Sequence, residues 1–308
     1  MESNQKQLIP GVTMAAIAAC IAVFIGLGST QSDLWRDLAK WGLLSPDSIY
    51  EGAWWGLVTS AFVHREIWHI AFNLYWLWFL GGAMERSIGS LRYAAFILLA
   101  AFVSSSLQMS ISGAGIGMSG VGYAIFGFGW LARDKYPELK RIVTPQVINL
   151  FLIWMFICFP LTWLHILTIG NAAHVSGLLF GISIAAAFAV RLKPILSVAA
   201  VILLIGASVA VMFYSPWSMD WTSHRALAAH RAHRYAEAVR MYRKTLDLGA
   251  DPKWVWHNLA EILGVLGPRE AYSDAILRLR ELDAGSAKEV EADHGPPEGK
   301  QIPVPSPK

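Results

Sequence analysis

The sequence predicts an all-α membrane protein, a bundle of seven spanning helices followed by a small soluble α-helical domain. Three observations lead there. Apolar residues make up 55% of the 308 residues and charged residues 15%, an imbalance foreign to soluble proteins of this length. The apolar residues arrive in blocks close to the roughly 20 residues that a spanning helix needs. After Tyr214 the composition switches to charged, alanine-rich, helix-favouring sequence.

Residues 1–10 are expected to be a cytoplasmic N-terminus. The first block, Gly11 to Gly28, reads as an uncleaved span: Ile17-Ala18-Ala19-Cys20 resembles a lipoprotein cleavage box, but the chain stays apolar well past Cys20. Thr30 to Val63 is rich in Trp and isolated charges, which suits short interfacial helices or a solvated loop. The remaining blocks are Ile67 to Met84, Tyr93 to Ser110, Ser119 to Ala132, Val147 to Leu167, Ala172 to Val190 and Pro194 to Tyr214. Cys20 and Cys158 both fall inside apolar blocks, so neither a disulfide framework nor a metal cluster is expected.

Lys and Arg set the orientation, because their excess is retained on the cytoplasmic side. With the N-terminus inside, Arg86, Arg92, Arg133, Lys135, Lys140, Arg141, Arg191 and Lys193 are cytoplasmic, whereas the opposite segments hold only Arg36, Lys40 and Arg65. Seven spans then place everything after Tyr214 outside, with Tyr214, Trp217 and Trp221 as an interfacial aromatic belt.

Residues 215–284 carry a repeat signal. "YAEAVRMYRKTLDLGADP", Tyr235 to Pro252, resembles the second helix and closing turn of a tetratricopeptide repeat, and a 33-residue shift aligns Glu237-Ala238 with Glu270-Ala271. Such a domain offers a surface for a protein partner; a helical hairpin pair without a binding role is the alternative. From Gly285 to Lys308, Pro, Gly and charge without apolar periodicity predict a disordered tail.

Polar side chains inside spans are costly and therefore mark function. His69 and Asn73 in the second span, Ser119 opening the fourth and His174 opening the sixth all belong to helices that start at the extracytoplasmic face. Span four is short: from Ser119 to Arg133, at about 1.5 Å per residue, it reaches roughly 20 Å of a roughly 30 Å core. Ser119 is thereby predicted about 10 Å below the outer surface, where a loop at depth needs burial or water.

A serine hydroxyl becomes nucleophilic when a base takes its proton, and His174 is the predicted base. His69 and Asn73, four residues apart, share a helix face, and with backbone N–H groups at the N-terminus of span four they can complete an oxyanion hole. Gly177-Leu178-Leu179-Phe180-Gly181 is a small-xxx-small pattern that lets helix six approach helix four, where Gly120, Gly122 and Gly127 are the complementary positions. Absent a carboxylate in the deep half of any span, a Ser–His dyad is implied rather than a triad. His64 and His69 are five residues apart, not the four that a zinc His-Glu-x-x-His site requires. "GMSGVG" is likewise not the G-x-S-x-G elbow of soluble hydrolases. Singly, Ser119 reads as a packing residue, His174 as an interfacial histidine and His64 as a structural one; the common depth of Ser119, His174, His69 and Asn73 favours chemistry for those four.

From Gly52 to Val190 the chain resembles the rhomboid intramembrane serine proteases. The resemblance rests on His64-x4-His69-x3-Asn73, "GGAMERSIGS" with Glu85 and Gly89, Gly117-Met118-Ser119-Gly120 with Tyr123, and Ala173-His174-x2-Gly177-x3-Gly181. It implies a six-helix core over 11–190 plus a seventh helix at 194–214. Ser119 would be nucleophile and His174 general base; His69, Asn73 and the Ser119 amide would be oxyanion donors, with Gly117 and Met118 beside them and Tyr123 packed on His174. His64, Glu85, Gly177 and Gly181 would be structural. The resemblance also implies no cofactor or metal, single-span membrane proteins as substrates cut near their extracytoplasmic end, and a bacterial inner membrane; nucleic acid is not an expected partner. Two positions depart from the family pattern: its usual Trp-Arg pair reads Trp55-Gly56, and Ile116 replaces a glycine three residues before the nucleophile. The alternatives are a non-proteolytic rhomboid-like scaffold for transmembrane segments, whose members typically lack the serine or histidine, and a transporter, which the clustering toward one leaflet disfavours.

Overall fold

The computed structural model describes residues 9–29 and 35–294, which divide into two units, Met1–Phe213 and Tyr214–Lys308. In the first unit α1 (Gly11–Ser29) is followed by three short helices in the segment expected to be interfacial, α2 (Trp35–Ala39), α3 (Pro46–Tyr50) and α4 (Trp55–Thr59). Next come α5 (Ile67–Trp76), which passes through a π-helical turn, Leu77–Gly81, into α6 (Gly82–Ile88), then α7 (Ser90–Ser112) and α8 (Ser119–Ala132). The short α9 (Pro137–Ile142), α10 (Pro145–Trp163), α11 (Asn171–Ile184, extended by a π-helical turn Ala185–Val190) and α12 (Pro194–Phe213) complete it.

Among the described residues, five helices are long and apolar enough to cross a membrane: α1, α7, α10, α11 with its extension, and α12. The other two predicted spans take different forms. Ile67–Ile88 is one helical run interrupted by the π turn, and α8 has only 14 residues, as its position between Ser119 and Arg133 requires.

Burial separates centre from periphery. About half of α7 and α11 is buried, against 17–22% of α1, α10 and α12, so α7, α8 and α11 form the middle and the rest surround it. The approach of α8 to α11 is set by missing side chains. A Cβ on Gly177 would collide with the Gly120 carbonyl, one on Gly181 with the Ala124 carbonyl, and one on Gly127 with the Leu178 carbonyl. Gly122 does not take part, contrary to expectation: no heavy atom lies within 4 Å of where its Cβ would stand. Gly120 and Gly127 are seven residues apart and share a face, whereas a two-residue step rotates Gly122 off it.

Glu85 ties α1 to this core. Its carboxylate accepts bonds from the N–H groups of Val12 (3.0 Å) and Thr13 (2.8 Å), the Thr13 hydroxyl (2.8 Å) and the Ser90 hydroxyl (2.7 Å). A carboxylate at a helix N-terminus meets unpaired amides and a favourable dipole.

The second unit consists of α13 (Met219–Arg231), α14 (Tyr235–Asp247), α15 (Pro252–Leu266), α16 (Arg269–Leu282) and α17 (Ala284–Asp293). Ser218 and Asp251 cap α13 and α15. One apolar cluster joins α13, α14 and α15 around Tyr242 and Leu259, and a second joins α15, α16 and α17 around Leu279. The predicted tail, 285–308, is corrected in its first part: 284–293 is helical. Asp283 accepts from Gly285 and Ser286, Ala287 and Val290 are buried, and Arg280 pairs with Glu291 at 2.5 Å. These two inward apolar residues, three apart, are too few to register as periodicity; residues 295–308 lie outside the described residues.

Candidate active site

Ser119 is the first residue of α8 and His174 lies in the first turn of α11. The close approach of the two helices brings the Ser119 Oγ to 2.9 Å from His174 Nε2. His174 is 3% exposed, and its Nδ1 has no hydrogen-bond partner among the described residues. Tyr123, one turn into α8, lays its ring on the imidazole with centroids 4.5 Å apart and donates its hydroxyl to the Phe151 carbonyl at 3.1 Å. That bond holds the ring, and the ring limits the rotation of His174.

The segment before Ser119 is shaped by Gly117, whose φ is +100° and whose N–H donates to the Ser60 carbonyl at 3.0 Å. A side chain there would be strained and would strike the His69 ring, 2.6 Å away. His69 therefore lies directly over the backbone leading to the serine. Asn73 is buried and uses one N–H to donate to the His69 carbonyl at 2.8 Å, leaving its second N–H.

His64 is fully buried. Its Nε2 accepts from the Met118 N–H at 3.3 Å, its Nδ1 lies 3.2 Å from the Phe62 carbonyl, and its ring centroid is 4.8 Å from that of His69. The Nδ1-protonated tautomer satisfies both bonds. In this arrangement the Met118 amide is engaged by His64. Among the described residues no group of three or more His, Cys, Asp or Glu side chains could hold a metal ion.

The rhomboid domain family model matches residues 51–191. Residues 51–191 thus carry a rhomboid domain. Rhomboid protease GlpG of Serratia proteamaculans (strain 568) is 34% identical over 175 residues, 56% of this chain and 61% of that protein; the match thus spans about three fifths of the relative's length. The family and the apolar helices make this an integral multi-pass membrane protein.

Within the rhomboid domain one polar residue escaped the sequence reading. Gln108, in α7 and 5% exposed, accepts from the Ala173 N–H through Oε1 at 3.1 Å and donates through Nε2 to the Gly113 carbonyl at 3.4 Å. It thereby ties the first turn of α11 to the loop that leads to α8. Its signal, an amide late in an apolar span, was present but masked by the neighbouring serines 104–106. The two departures from the family pattern are both accommodated by packing. Ile116 packs on Leu38, Leu43 and Val63, and Gly56 is buried beneath Leu44 and Ile49, which a Cβ would meet at 2.8 Å and 3.0 Å.

Proposed function

We propose that this chain is an intramembrane serine endopeptidase that cuts single-span membrane proteins near the extracytoplasmic end of the span. Ser119 Oγ attacks the scissile carbonyl carbon as His174 Nε2 takes the hydroxyl proton. The tetrahedral oxyanion is met by the Ser119 amide, the free N–H of Asn73 and His69. Collapse breaks the C–N bond, and the Nε2 proton passes to the leaving amine. The acyl-enzyme is then hydrolysed by a water deprotonated by His174, which returns that proton to Ser119. The observation that carries the reading is the 2.9 Å Ser119–His174 contact between two helix N-termini inside an apolar bundle. No metal or cofactor enters any of these steps.

The test is cleavage of a single-span protein with a helix-destabilised span in proteoliposomes, together with fluorophosphonate labelling. Ser119→Ala and His174→Ala should each abolish cleavage and labelling, and mapping the cut bond by mass spectrometry should put it near the extracytoplasmic end. A wild-type protein that neither cuts nor labels, or a phenotype that survives Ser119→Ala, would point instead to a scaffold that binds transmembrane segments.

A further inference from the structure

We propose that the last turn of α12 is a positioning element for the oxyanion loop, with Met212 as its principal residue; the catalytic part of this inference rests on the protease reading above. Along α12 burial is uneven. Its buried residues are Val201, Ser208, Val211 and Met212, so three of the four lie in the final two turns. Those last residues face the segment between α1 and α5. Val211 (9% exposed) and Met212 (4%) join Ile49 of α3, Leu57 of α4 and Met109 of α7 in a separate apolar cluster, with Leu44, Tyr50 and Trp54 at its rim. Phe213 sets its ring edge-on against Trp54, with centroids 5.4 Å apart.

This cluster stands where the family pattern puts a Trp-Arg pair and this chain has Trp55-Gly56. With no side chain at Gly56, Leu44 and Ile49 close over the backbone of α4, and they pack in one apolar cluster with Val211 and Met212 at the end of α12. An apolar clamp that includes the seventh helix thus anchors a segment that a guanidinium cannot hold here.

Two hydrogen-bond routes lead from the clamp to the loop before the nucleophile. Ser60 follows α4 directly, its hydroxyl donating to the Leu57 carbonyl at 3.1 Å and its carbonyl accepting from Gly117 N–H at 3.0 Å. Four residues on, His64 accepts from Met118 N–H at 3.3 Å. A shift of α4 therefore moves the backbone on which the Ser119 amide is aimed. A catalytic donor misplaced by a fraction of an ångström loses much of its value, whereas substrate binding elsewhere is untouched.

The experiment uses the full chain. Met212→Ala is compared with wild type, with Met212→Leu as the conservative rescue, and with Ile202→Ala, on the same helix but 64% exposed, as control. Met212→Ala should speed backbone amide exchange in peptides covering 57–64 and 115–119, lower kcat about tenfold with KM held within about twofold, and slow fluorophosphonate labelling in proportion. Met212→Leu should restore all of these, and Ile202→Ala should change none. Phe213→Ala removes the edge-on ring contact to Trp54 and should give a smaller change in the same sense, which guards against misfolding of the first variant. Unchanged exchange in both peptides, or an equal effect from Ile202→Ala, overturns the proposal whatever the activity. Faster exchange confined to the two peptides, in a protein whose wild type cuts nothing, supports the clamp and removes the protease reading.

Discussion

Replacing Gly177 by alanine should silence the Ser119–His174 pair while leaving the helices intact. The new methyl carbon would overlap the Gly120 carbonyl oxygen and lie 3.0 Å from its carbon. Carbon–oxygen contacts relax at about 3.3–3.6 Å, so α11 has to withdraw from α8 by about 1 Å. The obstruction is backbone, and no side chain can rotate to relieve it. His174 stands three residues earlier on the same face of α11, so its Nε2 moves from 2.9 Å to about 4 Å from Ser119 Oγ, beyond the reach of proton transfer. A displacement of that size should cost about a hundredfold in kcat/KM, with about 1–3 kcal/mol of overpacking strain on stability. The assay is cleavage of a single-span substrate in proteoliposomes, read beside fluorophosphonate labelling and thermal unfolding. Gly206→Ala is the control, since a Cβ there meets nothing within 4 Å. Retention of cleavage within about threefold of wild type by Gly177→Ala would falsify the claim that backbone contact sets the catalytic distance.

Two further expectations concern parts of the chain away from the dyad. Glu85→Ala leaves the N–H groups of Val12 and Thr13 without their acceptor and should destabilise the protein by at least about 2 kcal/mol, freeing α1 for proteolysis before the rest unfolds; equal proteolysis of variant and wild type would contradict this anchor. In the second unit, burial lowers the pKa of His230 from the ordinary 6.5, and its Nδ1 faces the Tyr242 hydroxyl at 3.3 Å. The unfolded chain takes up the proton more readily, so this contribution to stability is present above the unfolded value and is lost as the pH falls through the folded one. The unit should become more protease-sensitive as the pH falls below the ordinary 6.5, and His230→Gln should flatten that dependence; an identical pH profile for the variant would exclude His230 as its source.

Much of the site was legible because a membrane makes polar residues conspicuous. His69, Asn73, Ser119 and His174 stand out in apolar blocks, and the glycines at 177 and 181 mark where two helices can meet. Contacts that cross between helices were less legible. Gln108 reads as one more polar residue beside three serines until its amide is seen bridging Ala173 and Gly113. Gly122 looks equivalent to Gly120 in sequence, but helical rotation sends it elsewhere. The helix at 284–293 was hidden because its stabilisation comes from a cap at Asp283 and packing on α15 and α16 rather than from its own pattern.

Sequence by itself determined the membrane class, the apolar segments and the chemical types available for catalysis, because hydropathy and side-chain chemistry are local properties of the chain. Tertiary structure decided which of those groups touch. The 2.9 Å separation of Ser119 and His174, the engagement of the Met118 amide by His64 and the clamp of α12 on α4 all depend on how closely helices approach and how far each is rotated. Those quantities are set by packing between residues far apart in the chain, which no local pattern encodes.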